Sequence, residues 1–173
     1  TPPDCVPING WVYSAVTHHW YMLSQTTAVW ESALVQASSA GGYLATINDA
    51  DENAWLVSCL LGNVSSAWIG LNEIVTQGSY VWENGEISAY TNWAVGEPSY
   101  PGSEQVVEIY GGLSSFTPGT WNDNGIDAGR IAIIERNTNP NPSTGEGEGE
   151  GEGEGSTGGE GEGEGEGQGG VTI

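Results

Sequence analysis

The chain has 173 residues with 23 acidic side chains against two basic ones, a formal net charge of −21, and no lysine. Nucleic acid and anionic membranes both require a basic face, so this charge argues against either as a partner; without lysine there is no Schiff-base chemistry. Nine of the acids lie in a Gly-Glu tract near the C-terminus, so the preceding residues carry fourteen acids against Arg130 and Arg136, still a net charge of minus twelve.

That tract sets the domain organisation. From Asn139 the chain is Pro-rich, and from Gly145 to Gly167 it is almost entirely Gly-Glu dipeptides. No side chain there can join an apolar core, and evenly spaced carboxylates repel one another, so residues 139–170 are expected to be an extended acidic linker. Residues 1–138 then make one domain of ordinary size, and 171–173 are the expected start of a following segment. Neither a signal peptide nor a membrane-spanning run occurs, and the first residue is Thr1, as in a mature or excised fragment of a larger protein.

In chain order, Gly10–Tyr13 and His19–Leu23 read as two aromatic strands around a short turn. His18 and His19 lie between them, and neighbours on a strand point to opposite faces, so they are poorly placed to share a metal. Trp30, Ala33, Leu34 and Ala37 recur at helical spacing, with Thr26 or Thr27 as the N-cap and Gly41-Gly42 as the stop. A second helix opens at Asn48. Its first turn holds Asp49, Asp51 and Glu52, explained by capping and the helix dipole, and its apolar side is Ala54, Trp55, Leu56, Cys59 and Leu60.

Ala67–Leu71 is a buried strand by its apolar continuity, followed by Tyr80–Trp82 and a tight reversal at Asn84-Gly85. Further strands are expected at Val106–Tyr110, Gly119–Trp121 and Ile131–Ile134. Of the eight tryptophans, Trp30, Trp55, Trp68 and Trp82 sit in periodic apolar contexts and belong to the core. Cys5 and Cys59 are the only cysteines; composition leaves open whether they form one disulfide or are two unrelated thiols. Asn63-Val64-Ser65 fits a glycosylation acceptor, a triplet that chance often supplies.

The stretch from Trp93 to Asp123 carries the chemistry. Glu97, Ser99 and Glu104 form one cluster of oxygen-bearing side chains and Asn122-Asp123 a second, with Val106–Tyr110 between them as a strand able to bring them together. Hard oxygen ligands on irregular loops suit calcium, which takes six to eight oxygens in loose geometry. His and Cys are absent from the stretch, which disfavours zinc and copper.

These residues carry a family resemblance. Glu97-Pro98-Ser99 resembles the EPN tripeptide of C-type lectin domains, and Trp121-Asn122-Asp123 is similar to their WND motif. Trp68-Ile69-Gly70-Leu71 resembles the WIGL signature, and Trp30–Ala33 with Gly41–Ala45 resembles the first helix and the turn that ends it. The resemblance covers about residues 8 to 136 and implies an α+β C-type lectin-like fold: two helices packed on a small antiparallel sheet with a long ligand-binding loop, the last strand pairing with the N-terminal one.

The resemblance further implies a Ca2+ site made by Glu97, Ser99, Glu104, Asn122 and Asp123, with a glycan bound through neutral sugar hydroxyls by the same residues. Tyr100 is the aromatic expected to touch the ligand. It also implies a cis bond before Pro98, the one bond type where cis is inexpensive, and a protein at the cell surface or outside the cell. Glu97 points to hydroxyl pairs of the mannose, glucose or fucose type, while Ser99 departs from the family's Asn and loses an amide donor. Two family disulfides are replaced by apolar pairs, Ala37 with Ile134 and Val106 with Ile126. At the family's accessory calcium site Glu73 keeps a carboxylate, but Gln77, Tyr100 and Gln105 stand where acids are expected.

Three readings follow. The first is a calcium-dependent carbohydrate-binding module; the second is a lectin-like adhesion or protein-binding domain in which calcium is structural or absent. The third, an enzyme using Glu97 and Glu104 as the carboxylate pair of a glycoside hydrolase, is set aside because the resemblance implies binding.

Overall fold

The computed structural model describes residues 5–141. The linker and following segment expected at 139–173 lie outside the described residues from 142 onward. Ten elements follow in order: β1 (Val12–Tyr13), β2 (Trp20–Leu23), α1 (Trp30–Ser39), β3 (Tyr43–Leu44), α2 (Ala50–Cys59), β4 (Ser66–Asn72), β5 (Val81–Trp82), β6 (Val106–Tyr110), β7 (Trp121–Asn124) and β8 (Ile131–Arg136). The strands form one sheet in the order β1-β2-β8-β4-β6-β7, with β3 on β8 and β5 on β4. Every pair is antiparallel except β4 with β8, a crossing absent from the antiparallel expectation. The last strand pairs with β2 rather than β1, which stays at the edge on β2.

Both faces of the central strands are buried, which is why β4 and β8 read as unbroken apolar runs. Ala67, Ile69 and Leu71 of β4, with Ile133 of β8, pack with Leu56 of α2, Trp82 and Trp121. The alternate residues Trp68, Ala132 and Ile134 pack with Trp30, Ala33 and Ala37 of α1. Each helix thus covers one face. Burying a large apolar side chain contributes about 1.5–3 kcal/mol, so these two clusters outweigh any cap or surface pair. The apolar pair Ala37 and Ile134 is buried as expected, but Ile126 is 48% exposed while Val106 is in the core; that second pair does not pack as the expectation had it.

Helix α1 corrects the capping expectation. Its N-cap is Val29, with no side-chain bond; neither Thr26 nor Thr27 reaches that position, and packing of Trp30 against the core holds the first turn instead. Its C-terminus is the expected one. Gly41 takes φ +77, and the amides of Gly41 and Gly42 donate to Ser38 and Ala37 carbonyls, a glycine-terminated stop. Gly42 has a second role, since a Cβ there would sit 2.3 Å from the Glu135 carbonyl oxygen.

In α2 the N-cap is Asp49, whose side chain accepts from the Glu52 amide. The buried side of this helix is Glu52, Asn53 and Leu56, while Ala54 is exposed and Trp55 half-buried, so a partly polar face replaces the expected apolar one. The polar groups are satisfied: Glu52 accepts from Tyr21 Oη at 2.7 Å and the Asn48 amide at 2.8 Å. Glu135 on β8, fully buried, lies 2.5 Å from His19 Nδ1 and accepts from the Thr46 amide and Tyr43 Oη. Burial pushes both carboxyls up to about 7. His19 therefore serves this network, and His18 is an exposed turn residue at φ +62. Cys5 and Cys59 form a disulfide, which resolves the open alternative. No helix among the described residues is long and apolar enough to cross a membrane.

Candidate functional site

The site is built on the β6–β7 end of the sheet. Trp121 is fully buried and is the hub of an aromatic cluster, with Trp82, Tyr90 and Trp93 edge-on at 5.6–5.9 Å between centroids. Its indole donates to Asn53 Oδ1 at 2.9 Å, and Asn53 donates in turn to the Gly119 carbonyl at 3.1 Å. Edge-to-face rings and a bonded indole leave Trp121 one orientation, and this fixes the backbone of Asn122 and Asp123 beside it. The strand is Trp121–Asn124, beginning where the expected Gly119–Trp121 strand ended, so the whole motif is strand.

The loop after Trp93 is stitched to that strand. The Ala94 amide donates to the Trp121 carbonyl at 2.8 Å, and the Gln105 amide to the Asn124 carbonyl at 2.9 Å. Between these anchors the backbone is irregular, with Gly96, Tyr100 and Gly102 at positive φ and a cis bond between Glu97 and Pro98, as the resemblance implied. Carboxylate oxygens of Glu97, Glu104 and Asp123 all lie within 4.8 Å of one another. Ser99 ties the group together: its amide donates to Asp123 Oδ1 at 2.8 Å and its hydroxyl to Glu104 Oε2 at 3.1 Å.

Asp123 is 1% exposed and also accepts from Tyr80 Oη at 2.9 Å, and Tyr80 packs edge-on against Trp93. Burial, then the bond to Asp123, raises the Tyr80 hydroxyl's pKa, so it stays a donor. Burial raises Glu104 as well; the bond from Ser99 opposes this, while the charges of Asp123 and Glu97 add to it. Glu97 Oε2 is buried and has no hydrogen-bond partner among the described residues. Neither arginine answers this charge, since Arg130 pairs with Glu108 at 2.5 Å and Arg136 lies over the Trp11 ring. Three crowded carboxylates with an orphaned buried oxygen fit a hard divalent cation, and the donors, all oxygen, fit calcium.

Four of the five expected ligands are therefore gathered. Asn122 is not. Side chains alternate across a strand, so Asn122 and Asp123 leave β7 on opposite faces, and the Asn122 amide donates to Glu108 Oε1 at 3.0 Å. Its cross-strand partner is Glu108 itself, whose charge holds the amide there. Tyr100 is 71% exposed beside the carboxylates in sequence, a ring free to meet a ligand. Glu73 is buried and accepts from the Gly78 amide at 2.5 Å, so the one acid left at the accessory position serves a turn. It lines a cavity of about 410 Å³ with Gln77, Tyr80, Ser99 and Asp123.

Sequence reasoning missed Tyr80, Asn53 and Glu108. Asn53 left one trace, a polar residue on the side of α2 that faces the core; the other two became visible only through their partners.

A two-helix, one-sheet scaffold that carries an acidic loop pinned to its WND strand defines a C-type lectin-like domain. The chain matches the lectin C-type domain family over residues 26–132, more than half its length, and belongs to that family. Lectin BRA-3 of Megabalanus rosa is 39% identical over 101 residues, which are 57% of this chain and 61% of that protein. The perlucin-like protein of Mytilus galloprovincialis is 28% identical over 107 residues, 60% of this chain and 66% of that protein. The chain thus spans less than two thirds of the length of either relative. The carbohydrate-recognition domain of cow CD23 superposes with a TM-score of 0.66 at 23% identity, covering 78% of this chain and 98% of that one. A calcium-independent type II antifreeze protein superposes with a TM-score of 0.63 at 20% identity, covering 76% and 94%. At such identities the likeness establishes the fold alone.

Proposed function

We propose that residues 1–138 are a calcium-dependent carbohydrate-binding module of an extracellular or surface protein, presented on the acidic linker of residues 139–170. The observation that carries this reading is the convergence of Glu97, Glu104 and Asp123 within 4.8 Å, with Glu97 Oε2 left without a partner. Glu97, Ser99, Glu104 and Asp123 hold the ion, and Asn122 stays with Glu108. Calcium takes six to eight oxygens; with one oxygen from each of these side chains, positions stay open, and neighbouring hydroxyls of a neutral sugar fill them while donating to the carboxylates. Three carboxylates around a divalent ion leave the site near minus one, which favours neutral polyols over anions. Glu97 directs the preference to hydroxyl pairs of the mannose, glucose or fucose type, with the Tyr100 ring against the bound sugar. Family membership and the lectin relative support the reading.

One observation favours a lectin-like protein-binding domain instead. The Ser99 hydroxyl is spent on Glu104 and the Asn122 amide on Glu108, so no amide donor stands beside the carboxylates, and a lost donor of this kind costs a sugar about 1 kcal/mol. The fold also accommodates a calcium-independent antifreeze protein, so calcium is not a requirement of the scaffold. A calcium titration followed by tryptophan fluorescence, with a glycan array in calcium and in chelator, decides between them. Saturation below about 1 mM, the weak end for extracellular modules, with chelator-sensitive binding of mannose-type glycans is the expected result. Calcium saturation without binding to any glycan would move the assignment to protein recognition, and no response to calcium would overturn the site.

A further inference from the structure

Asn122 points into a second cavity, a groove of about 700 Å³ that it lines with Glu108, Asn124, Arg130, Tyr110 and Phe116. It lies on the opposite face of β7 from the carboxylate cage. Its floor is a fixed polar lattice. Glu108 accepts from Asn122 at 3.0 Å, from Asn124 at 2.9 Å and from Arg130 Nε at 2.5 Å. Burial pushes the Glu108 carboxyl up, but the bonds from Arg130, Ser66 and Asn124 outweigh it and hold the group below its ordinary value.

A saturated carboxylate aligns the two amides and leaves each a second N–H directed elsewhere. The Asn122 amide oxygen has no partner among the described residues, and Arg130 is fixed over the Trp68 ring at 5.7 Å. Since Glu108 and Arg130 cancel, the floor offers donors and an acceptor but no unpaired charge. An ionic ligand gains nothing there over water.

The wall beside this floor is apolar. Phe116, the only phenylalanine in the chain, stacks on Tyr110 with centroids 4.6 Å apart and planes 17° from parallel. Phe116 is 59% exposed and the neighbouring Leu113 64% exposed. Stacking occupies one face of the Phe116 ring and presents the other. A neutral donor–acceptor floor beside an aromatic shelf matches a ring that is apolar on its face and hydroxylated around its edge. The cavity falls within the ~300–1,000 Å³ usual for small-ligand sites.

We propose that this groove is a second carbohydrate site, independent of metal, that binds a neutral oligosaccharide with one sugar ring on Phe116 and its hydroxyls on the amides of Asn122 and Asn124. Strand β7 then serves two sites, with Asp123 directed to the cage and Asn122 and Asn124 to the groove. Chelation abolishes binding at the cage and leaves the groove intact.

The test uses the full chain in excess EDTA, titrated with mannohexaose, laminarihexaose, chitohexaose and a neutral Ser/Asn-rich decapeptide, followed by amide NMR shifts. At least one saccharide is expected to shift the signals of residues 108–124. Phe116→Ala should weaken it about 5- to 10-fold, the loss of one stacking contact, and Asn124→Ala should weaken it as well. Glu97→Gln should leave it unchanged. Phe116 is exposed enough that its truncation keeps the fold, which a melting curve checks. Failure of every saccharide to bind, shifts caused by the peptide alone, or binding indifferent to both Phe116→Ala and Asn124→Ala would each overturn the proposal. Saccharide binding seen in calcium and lost in EDTA would overturn the groove while leaving the calcium-dependent site standing.

Discussion

Removing one charge from the carboxylate cage should stabilise the domain without metal and weaken it with metal. Glu97→Gln keeps the shape of the side chain whose oxygen has no partner and replaces a charge with an amide that can donate to its neighbours. The three carboxylates approach within 4.8 Å, where two unit charges repel by about 1 kcal/mol at the permittivity of water and about 3.5 kcal/mol at an effective permittivity of 20. Glu97 takes part in two of the three pairs. Because Glu97 and Glu104 are half-exposed, solvent screening keeps the gain near the lower bound, about 1–2 kcal/mol. For a domain of this size that is a rise of roughly 3–8 °C in melting temperature. In EDTA the variant should therefore melt above the parent. In saturating calcium the order should reverse, since the parent gains RT ln(1 + [L]/Kd) from binding and the variant has lost a ligand. Calorimetric melting in both buffers is the assay. A variant that melts no higher than the parent in EDTA would refute the repulsion, and one whose response to calcium equals the parent's would refute Glu97 as a ligand.

Tyr80→Phe removes the donor that holds Asp123 Oδ2 and should weaken calcium binding about 10-fold, as loss of a ligand's outer partner does, with little change in metal-free melting; calcium titration of the purified variant checks it. Burial raises the Glu52 carboxyl to about 7 from 4.5, so the folded domain keeps a proton that the unfolded chain releases. The stability this contributes is complete below about pH 4.5 and is lost as pH rises through 7, up to about 3 kcal/mol for the group. Urea midpoints compared between the parent and Glu52→Gln across that window should diverge as the pH rises, and parallel curves would remove the assignment. Reducing the bond between Cys5 and Cys59, 54 residues apart, frees a loop whose closure stabilises by about 4 kcal/mol in the chain-entropy account. Urea unfolding with and without reductant measures it.

Much of the scaffold was legible because it rests on periodicity and on residues with few conformational options. The unbroken apolar runs of β4 and β8, the Trp30/Ala33/Ala37 face of α1 and the Gly41-Gly42 stop each follow from local chemistry. The Thr26/Thr27 cap failed for the converse reason: an N-cap contributes about 1 kcal/mol, and the core around Trp30 sets where the helix begins. The polar face of α2 was hidden because Glu52 and Asn53 are tolerated in a core only through partners distant in the chain, Tyr21 and Gly119.

The same division runs through the site. The sequence alone determined which residues could bind a hard cation, since oxygen donors are read from side-chain identity, and it determined that no lysine and no basic face compete for them. Only the tertiary structure decided which donors meet. It brought Glu97, Ser99, Glu104 and Asp123 together and sent Asn122, one residue from Asp123, to the other face, because a strand turns successive side chains through half a revolution and Glu108 waits opposite. Composition cannot contain that information; it lies in the register of β6 against β7.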